Sequence, residues 1–133
     1  MEQESFINVN VDDAVELKSL AAGTEVQLRI VDAESKTSSN TGNDYLNVRL
    51  DIPTEPYSKD IFHIMMLPTQ HDDAKKANNR KLAIKRFCEA FGLSTGQMNL
   101  KEWPGHMAWA ILGEEDDPEY GKRNRIKRFV NPR

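Results

Sequence analysis

The carboxyl-terminal segment, residues 122–130, places cations at the spacing that a strand needs to contact a polyanion. If this segment is a β-strand, every second side chain lies on the same face. One face would then hold Arg123, Arg125, Lys127 and Phe129, and the other would hold Asn124, Ile126, Arg128 and Val130. Cations contact phosphates, and a flat ring gives a base a surface on which to stack. The pattern predicts contact with single-stranded nucleic acid, and the alternative is a solvated edge of mixed charge.

A second segment, residues 45–52, has a comparable polar face. Its aliphatic side chains share one parity, which leaves Tyr45, Asn47 and Arg49 on the other. This face, the cationic segment and Lys59, which lies between the two segments in the sequence, together form the candidate nucleic-acid interface. Its residues are Tyr45, Asn47, Arg49, Lys59, Lys122, Arg123, Arg125, Lys127 and Phe129.

The net charge of −3 conceals a strong separation of charge along the chain. Residues 75–86 carry six cations and no acid, and residues 122–133 carry six more, again without an acid. Residues 114–119 are acidic and are expected to form a loop. Such blocks create local fields that the total charge does not show, although an isolated charged run is commonly only a solvated face.

Catalysis is not predicted. The histidines His63, His71 and His106 lack metal-ligand spacing, and Cys88 lies in the apolar stripe of a predicted helix as a small core residue. A spacing typical of metal-dependent nucleases, Asp51, Glu55 and Lys59, is interrupted by two prolines and is weak. We expect no catalytic residue, no metal ligand and no cofactor.

The elements that would position the interface follow from hydrophobic periodicity. Strands are predicted over residues 24–33, 45–52, 57–67, 107–112 and 122–130. A helix with its apolar stripe at 84–91 is capped by Gly92, its upstream part (71–79) is a possible loop, and residues 34–44 form a loop. The order β-β-β-α-β-β predicts an all-β fold with one helix, a five-stranded Greek-key OB-fold barrel over residues 24–133. Residues 1–23 would be an arm or a short helix.

Most aromatic residues are expected in the core. Phe6, Phe62, Phe87 and Phe91 are predicted as core or staple residues, and Trp103 is predicted to pack a linker down. Two orientations stay open: that of Trp109, and the parity of the third strand, which is apolar on both faces. This two-faced strand makes a homodimer plausible.

A single cysteine, an acidic amino terminus and the lack of a long apolar run predict a protein of the cytoplasm, with no membrane association.

Several short motifs resemble a known family. They are YLNVRLDI, MMLP, KLAIKRFCEAFGL, PGHMAWAIL and EYGKRNRIKRF. Together, over about residues 24–130, they resemble small phage and prophage proteins once classed only as a domain of unknown function. The most specific pieces are 87–93, Gly105 with the strand after it, and 121–129. Members are taken as OB-fold single-stranded DNA-binding proteins that act beside recombination or replication genes. The resemblance implies protection of single strands in the host cytoplasm, with a recombinase or helicase as partner.

One feature departs from many single-stranded DNA-binding proteins, which recruit partners through an acidic carboxyl-terminal tail. This chain ends in Phe-Val-Asn-Pro-Arg, and the acidic segment 114–119 or the acidic amino terminus could serve instead. The acidic segment could equally repel a second strand and so disfavour duplex.

Our hypothesis is a largely sequence-independent single-stranded DNA-binding protein that uses strands two, three and five. A protein-interaction module without nucleic acid and a nuclease are the alternatives, and RNA is an alternative ligand.

Overall fold

The computed structural model describes residues 5–130, which form a mostly β fold with one α-helix. The elements are β1 (Glu25–Thr37), β2 (Asp44–Asp51), β3 (Ile61–Met66), α1 (Ala74–Phe91), β4 (Met107–Asp117) and β5 (Gly121–Phe129). A short 3-10 helix, Leu100–Glu102, precedes β4. The predicted order of three strands, a helix and two strands is confirmed. Arg133 of the second cationic block lies outside the described residues.

The five strands form one antiparallel sheet in the order β3-β2-β1-β4-β5. The long strand β1 is central because its first part pairs with β4 and its second part with β2. A register shift between Ile30 and Asp32 marks a bulge where β1 changes partner. The two edge strands, β3 and β5, approach each other. The sheet therefore curls so that its inner face is enclosed.

The core lies between that inner face and α1. Alternate residues of β1, β2 and β4 are buried, and α1 adds Ile84, Phe87, Cys88 and Phe91. The ring of Phe87 is central, with its centroid 4.6 Å from that of Phe91 and 5.5 Å from that of Trp103. Burying one such side chain contributes about 1.5–3 kcal/mol. The core predictions for Phe87, Cys88 and Phe91 are confirmed, and Trp103, which was predicted to pack a linker down, is buried in the same core.

Helix α1 begins earlier than its apolar stripe suggests. The side chain of Asp73 accepts a 2.7 Å hydrogen bond from the backbone N–H of Lys76, which caps the helix. Gly92 ends it in the left-handed region, at φ 70°, as predicted. The prediction of a loop over 71–79 is therefore wrong from residue 74 onward. Within residues 5–130, no helix is both long and apolar enough to cross a membrane.

Three strand boundaries differ from the prediction by more than one residue. β1 continues to Thr37 and β4 to Asp117, so both segments predicted as loops begin as strands. In the β4–β5 hairpin the acidic side chains face basic ones, with Glu115 opposite Arg123 and Asp116 opposite Lys122. Opposite charges directly across an antiparallel pair stabilise it. β3, by contrast, begins only at Ile61, because residues 55–58 form a turn.

Residues 5–17 form an arm that lies outside the regular elements. Phe6 is 84% exposed, so the prediction that it packs in the core is wrong. The chain joins the body at Lys18, whose N–H donates to the carbonyl of Tyr57. Two residues later the buried side chain of Asn124 holds Leu20, accepting from its N–H at 2.7 Å and donating to its carbonyl at 2.8 Å. The junction of arm and sheet is therefore fixed.

Candidate nucleic-acid interface

The outward face of β2 and β3 carries the most exposed of the large apolar side chains of the sheet. Leu46, Val48 and Leu50 point into the core, so their neighbours point outward. The outward cross-strand pairs are Tyr45 with Met66, Asn47 with Ile64 and Arg49 with Phe62. Phe62 is 57% exposed and Ile64 is 58% exposed. The prediction of Phe62 as a core residue is wrong, because Ile61 and Met65 occupy the buried parity of β3.

Polar groups lie beside the exposed side chains of Phe62 and Ile64, which we call the β2–β3 strip. The guanidinium of Arg49 pairs with Asp60 through a 3.2 Å Nε–Oδ2 contact, and about half of the Arg49 side chain stays exposed. The Oδ1 atom of Asn47 is buried and has no hydrogen-bond partner among residues 5–130. Folded proteins pair nearly all such atoms. The face therefore combines a ring, an aliphatic side chain, a cation and an unpaired amide oxygen.

Two hairpins flank the strip at opposite ends of β3. At the Met66 end, the N–H of Leu67 donates to Asp44, where the β1–β2 loop of residues 38–43 closes. At the Ile61 end, the ammonium of Lys59 donates to the carbonyls of Tyr120 (3.3 Å) and Lys122 (2.9 Å) in the β4–β5 hairpin. Lys59 therefore anchors the hairpin beside the strip.

The first half of β5 is electrostatically offset by β4. Arg123 donates from Nε to Glu115 at 2.8 Å, and its Nη1 lies 3.4 Å from Asp117. The backbone N–H groups of Tyr120 and Glu119, together with Arg123, lower the pKa of Asp117 below its ordinary value. Lys122 has a longer contact, 4.0 Å, with Glu114. Arg123 thus has the predicted outward orientation, but its charge is largely satisfied within the hairpin.

A bulge at Lys127 reverses the alternation in the second half of β5. Ile126 pairs with Leu112 and Arg128 pairs with Ile111, so Lys127 is the extra residue. Phe129 therefore faces the core, where its ring meets those of Phe87 and Phe91 edge-on at 5.9 and 5.7 Å. The prediction that Phe129 shares the cationic face is wrong, because one inserted residue moves the following side chains to the other face. Arg128 faces outward in place of Phe129.

Three cations of β5 are exposed and have no ion-pair partner within the described part of the chain: Arg125, Lys127 and Arg128. Arg125 lies across Gly113 on β4, where an added Cβ would stand 3.1 Å from its Nε. A larger residue at position 113 would require the Arg125 side chain to shift by a few tenths of an ångström. These cations follow Lys122 and Arg123, whose charges are offset by carboxylates of β4. The free positive charge of β5 is therefore concentrated toward its carboxyl end.

The predicted interface residues thus separate into different environments. Tyr45, Asn47 and Arg49 line the β2–β3 strip, and Arg125 and Lys127 carry free charge. Three residues beside these, Phe62, Ile64 and Arg128, were not assigned to the interface from the sequence. The pairing of β2 with β3 could have revealed the first two, because the clear parity of β2 determines which β3 residues face outward.

The other side chains considered for chemistry are engaged elsewhere. Asp51 accepts two hydrogen bonds from Arg29, at 3.0 and 2.6 Å, and Lys59 binds carbonyls. Burial, with a smaller contribution from Glu89, raises the pKa of the Cys88 thiol. No group of three His, Cys, Asp or Glu side chains in residues 5–130 could hold a metal ion. Trp109 faces outward on β4, which settles its orientation.

Comparison with known proteins adds no assignment: no family model matches the sequence, and no curated protein matches it significantly.

Proposed function

We propose that this protein binds single-stranded DNA with little sequence preference, on the β2–β3 strip and the free cations of β5. The observation that carries the proposal is the exposure of Phe62 and Ile64 beside Arg49, on a strand flanked by two hairpins. Unpaired bases stack on exposed rings, and cations follow the phosphates. Duplex DNA has its bases already stacked, so it gains less from such a strip.

We also propose that the sheet is an OB-fold barrel. The strand order β3-β2-β1-β4-β5, the approach of β3 to β5 and the position of α1 between β3 and β4 support this topology. In OB-folds the strand two and three face and the two hairpin loops bind oligonucleotides. The resemblance to phage proteins extends the proposal to DNA replication or recombination in a host cytoplasm, with a recombinase or helicase as partner.

Fluorescence polarisation with a labelled oligothymidine and a matched duplex tests the binding proposal. We expect the single strand to bind at least tenfold more tightly, and to weaken between low and moderate salt as counterions are released. Equal affinity for duplex, or no binding of either form at tens of micromolar protein, would overturn it. A 2′-hydroxyl oligonucleotide of the same sequence reveals whether RNA is bound equally.

A protein-interaction module is the second candidate function, and the exposed apolar arm of residues 5–17 favours it. Affinity capture from a cell extract before and after nuclease digestion separates the two. An association that survives digestion points to direct protein contact, whereas one that disappears was mediated by nucleic acid.

A further inference from the structure

The arm of residues 5–17 carries apolar side chains that nothing in the described part of the chain covers. Phe6, Ile7, Val9, Val11, Val15 and Leu17 are each 52–84% exposed. Within the arm the backbone hydrogen bonds are local: the N–H of Val9 donates to the carbonyl of Ile7, and the N–H of Ala14 donates to the carbonyl of Val11. Soluble monomers rarely expose so many neighbouring apolar side chains. The arm is therefore suited to a surface outside its own chain.

A groove of suitable chemistry lies between α1 and the end of β5. Its volume is about 610 Å³, and its apolar lining includes Ala83, Ala90 and Phe129. Arg86 and Lys127 add positive charge to the lining. β5 pairs with β4 along one edge, and within residues 5–130 no strand pairs with its other edge. The groove thus offers an apolar surface, cations and a free strand edge together.

The arm and the groove complement each other in charge and in periodicity. Residues 5–17 contain three acids, Asp12, Asp13 and Glu16, and no cation. Glu89, the acid in the groove lining, lies 4.0 Å from Lys85 and is partly offset by it. Ile7, Val9 and Val11 alternate with asparagines, which is the pattern of a strand with one apolar face. Such a segment can add to an exposed strand edge.

We propose that the arm of one copy adds to the β5 edge in the groove of a second copy, and that the exchange is reciprocal. The arm's own groove is not its site in this structure, since the arm's apolar side chains are exposed there. A two-fold dimer would bury both arms and both grooves with one kind of contact. The groove shares Lys127 and Arg128 with the proposed DNA surface, so the exchange is tested without DNA.

Disulfide trapping between separately purified variants tests the exchange. Val9→Cys is mixed with Ala83→Cys under mild oxidation, while Cys88 is buried and does not compete. We expect a cross-linked product of twice the 15.2 kDa chain mass. Val9→Cys with Thr54→Cys, at an exposed turn away from the groove, is the matched control. Equal cross-linking with the control, or an intramolecular disulfide in the Val9→Cys/Ala83→Cys double variant, would overturn the proposal.

Light scattering with charge variants provides the second measurement. The unmodified chain should reach twice the 15.2 kDa mass at high concentration. Arg86→Glu and Asp13→Lys should each raise the dimer dissociation constant at least tenfold. Mixing the two variants should restore association at both contacts, because the Asp13→Lys arm meets the Arg86→Glu groove and the unmodified arm meets the unmodified groove. Asp13 lies on the exposed arm, so its replacement leaves the fold intact. A chain that stays monomeric at all concentrations, or the absence of recovery on mixing, contradicts the reciprocal dimer.

Discussion

Phe62 is a large exposed ring near the start of β3, opposite Arg49 on β2. A stacked base would remove the ring from water, and such stacking contributes about 1–3 kcal/mol per base. Phe62→Ala should therefore raise the dissociation constant for oligothymidine by roughly 10- to 100-fold. Because the ring carries no charge, the salt dependence of binding should stay the same. Polarisation titrations at two salt concentrations measure both quantities.

Trp109→Ala is the matched control for this substitution. Trp109 is also an exposed aromatic side chain of the sheet, but it lies on β4 beside Gln27, away from the β2–β3 strip. Its removal should change the dissociation constant by less than about twofold, and Phe62→Trp should preserve binding, because both rings stack. Equal losses of affinity for Phe62→Ala and Trp109→Ala would show that bases do not stack specifically on the β2–β3 strip.

Asp72 joins β3 to α1 and makes stability depend on pH. Its side chain, largely buried, accepts from the N–H of Thr69 at 2.9 Å and from Arg80 at 3.0 and 3.2 Å. The Thr69 N–H is the largest cause that lowers the pKa of Asp72, and Arg80 and Lys76 lower it further. Its stabilisation is complete above the ordinary carboxyl pKa of about 3.9 and is lost as the pH falls through the lowered value.

Asp72→Asn should consequently destabilise the protein at pH 7. Its difference in free energy of unfolding from the unmodified chain should begin to shrink below about pH 4, where the carboxylate of the unfolded chain becomes protonated, and should be lost as the pH falls through the lowered pKa of the native carboxylate. Urea unfolding followed by circular dichroism from pH 7 to pH 3 measures the free energy of unfolding of both proteins. A difference that stays constant across this range would show that the charge of Asp72 contributes nothing.

At the scale of elements, β5 has two halves with different electrostatic roles. Arg123 is satisfied by Glu115 and Asp117, whereas Arg125, Lys127 and Arg128 are free to contact phosphates. Replacing the three free cations by alanine should flatten the slope of log K against log salt by about two units, since each phosphate contact on a single strand contributes about 0.7. Polarisation titrations over a series of salt concentrations give this slope.

Arg123→Ala serves as the comparison on the same strand. It should change the slope by much less than one cation's share, because the guanidinium is already offset by two carboxylates. If Arg123→Ala flattens the slope as much as each free cation does, the carboxylates must release Arg123 on binding, and the division of β5 into two halves is wrong.

Sequence periodicity predicted the elements best where one side of a strand is buried and the other is not. β2 alternates cleanly, and its boundaries differ from the prediction by one residue. The acidic end of β4 was predicted as a loop because its partners, Lys122 and Arg123, become visible only when the hairpin forms. The bulge at Lys127 leaves no mark in a period-two pattern, so Phe129 was assigned to the wrong face.

On the scale of the whole molecule, the strip and the free cations are brought near each other by the curvature of the sheet. β3 and β5 are the two edges, yet they approach each other, and Lys59 ties the start of β3 to the β4–β5 hairpin. A single strand could therefore pass across β3 and continue along the carboxyl half of β5. The element order was predictable from the sequence, whereas this closeness depends on long-range pairing that local patterns do not contain.

Amide chemical-shift mapping with oligothymidine tests this path most directly. ¹⁵N-labelled protein is titrated to saturation, and the perturbed amides are located on the sheet. The path predicts that the largest shifts fall in residues 45–49, 62–66 and 125–128, with little change in α1. Large shifts confined to α1 or to the arm, with residues 62–66 unchanged at saturation, would contradict it.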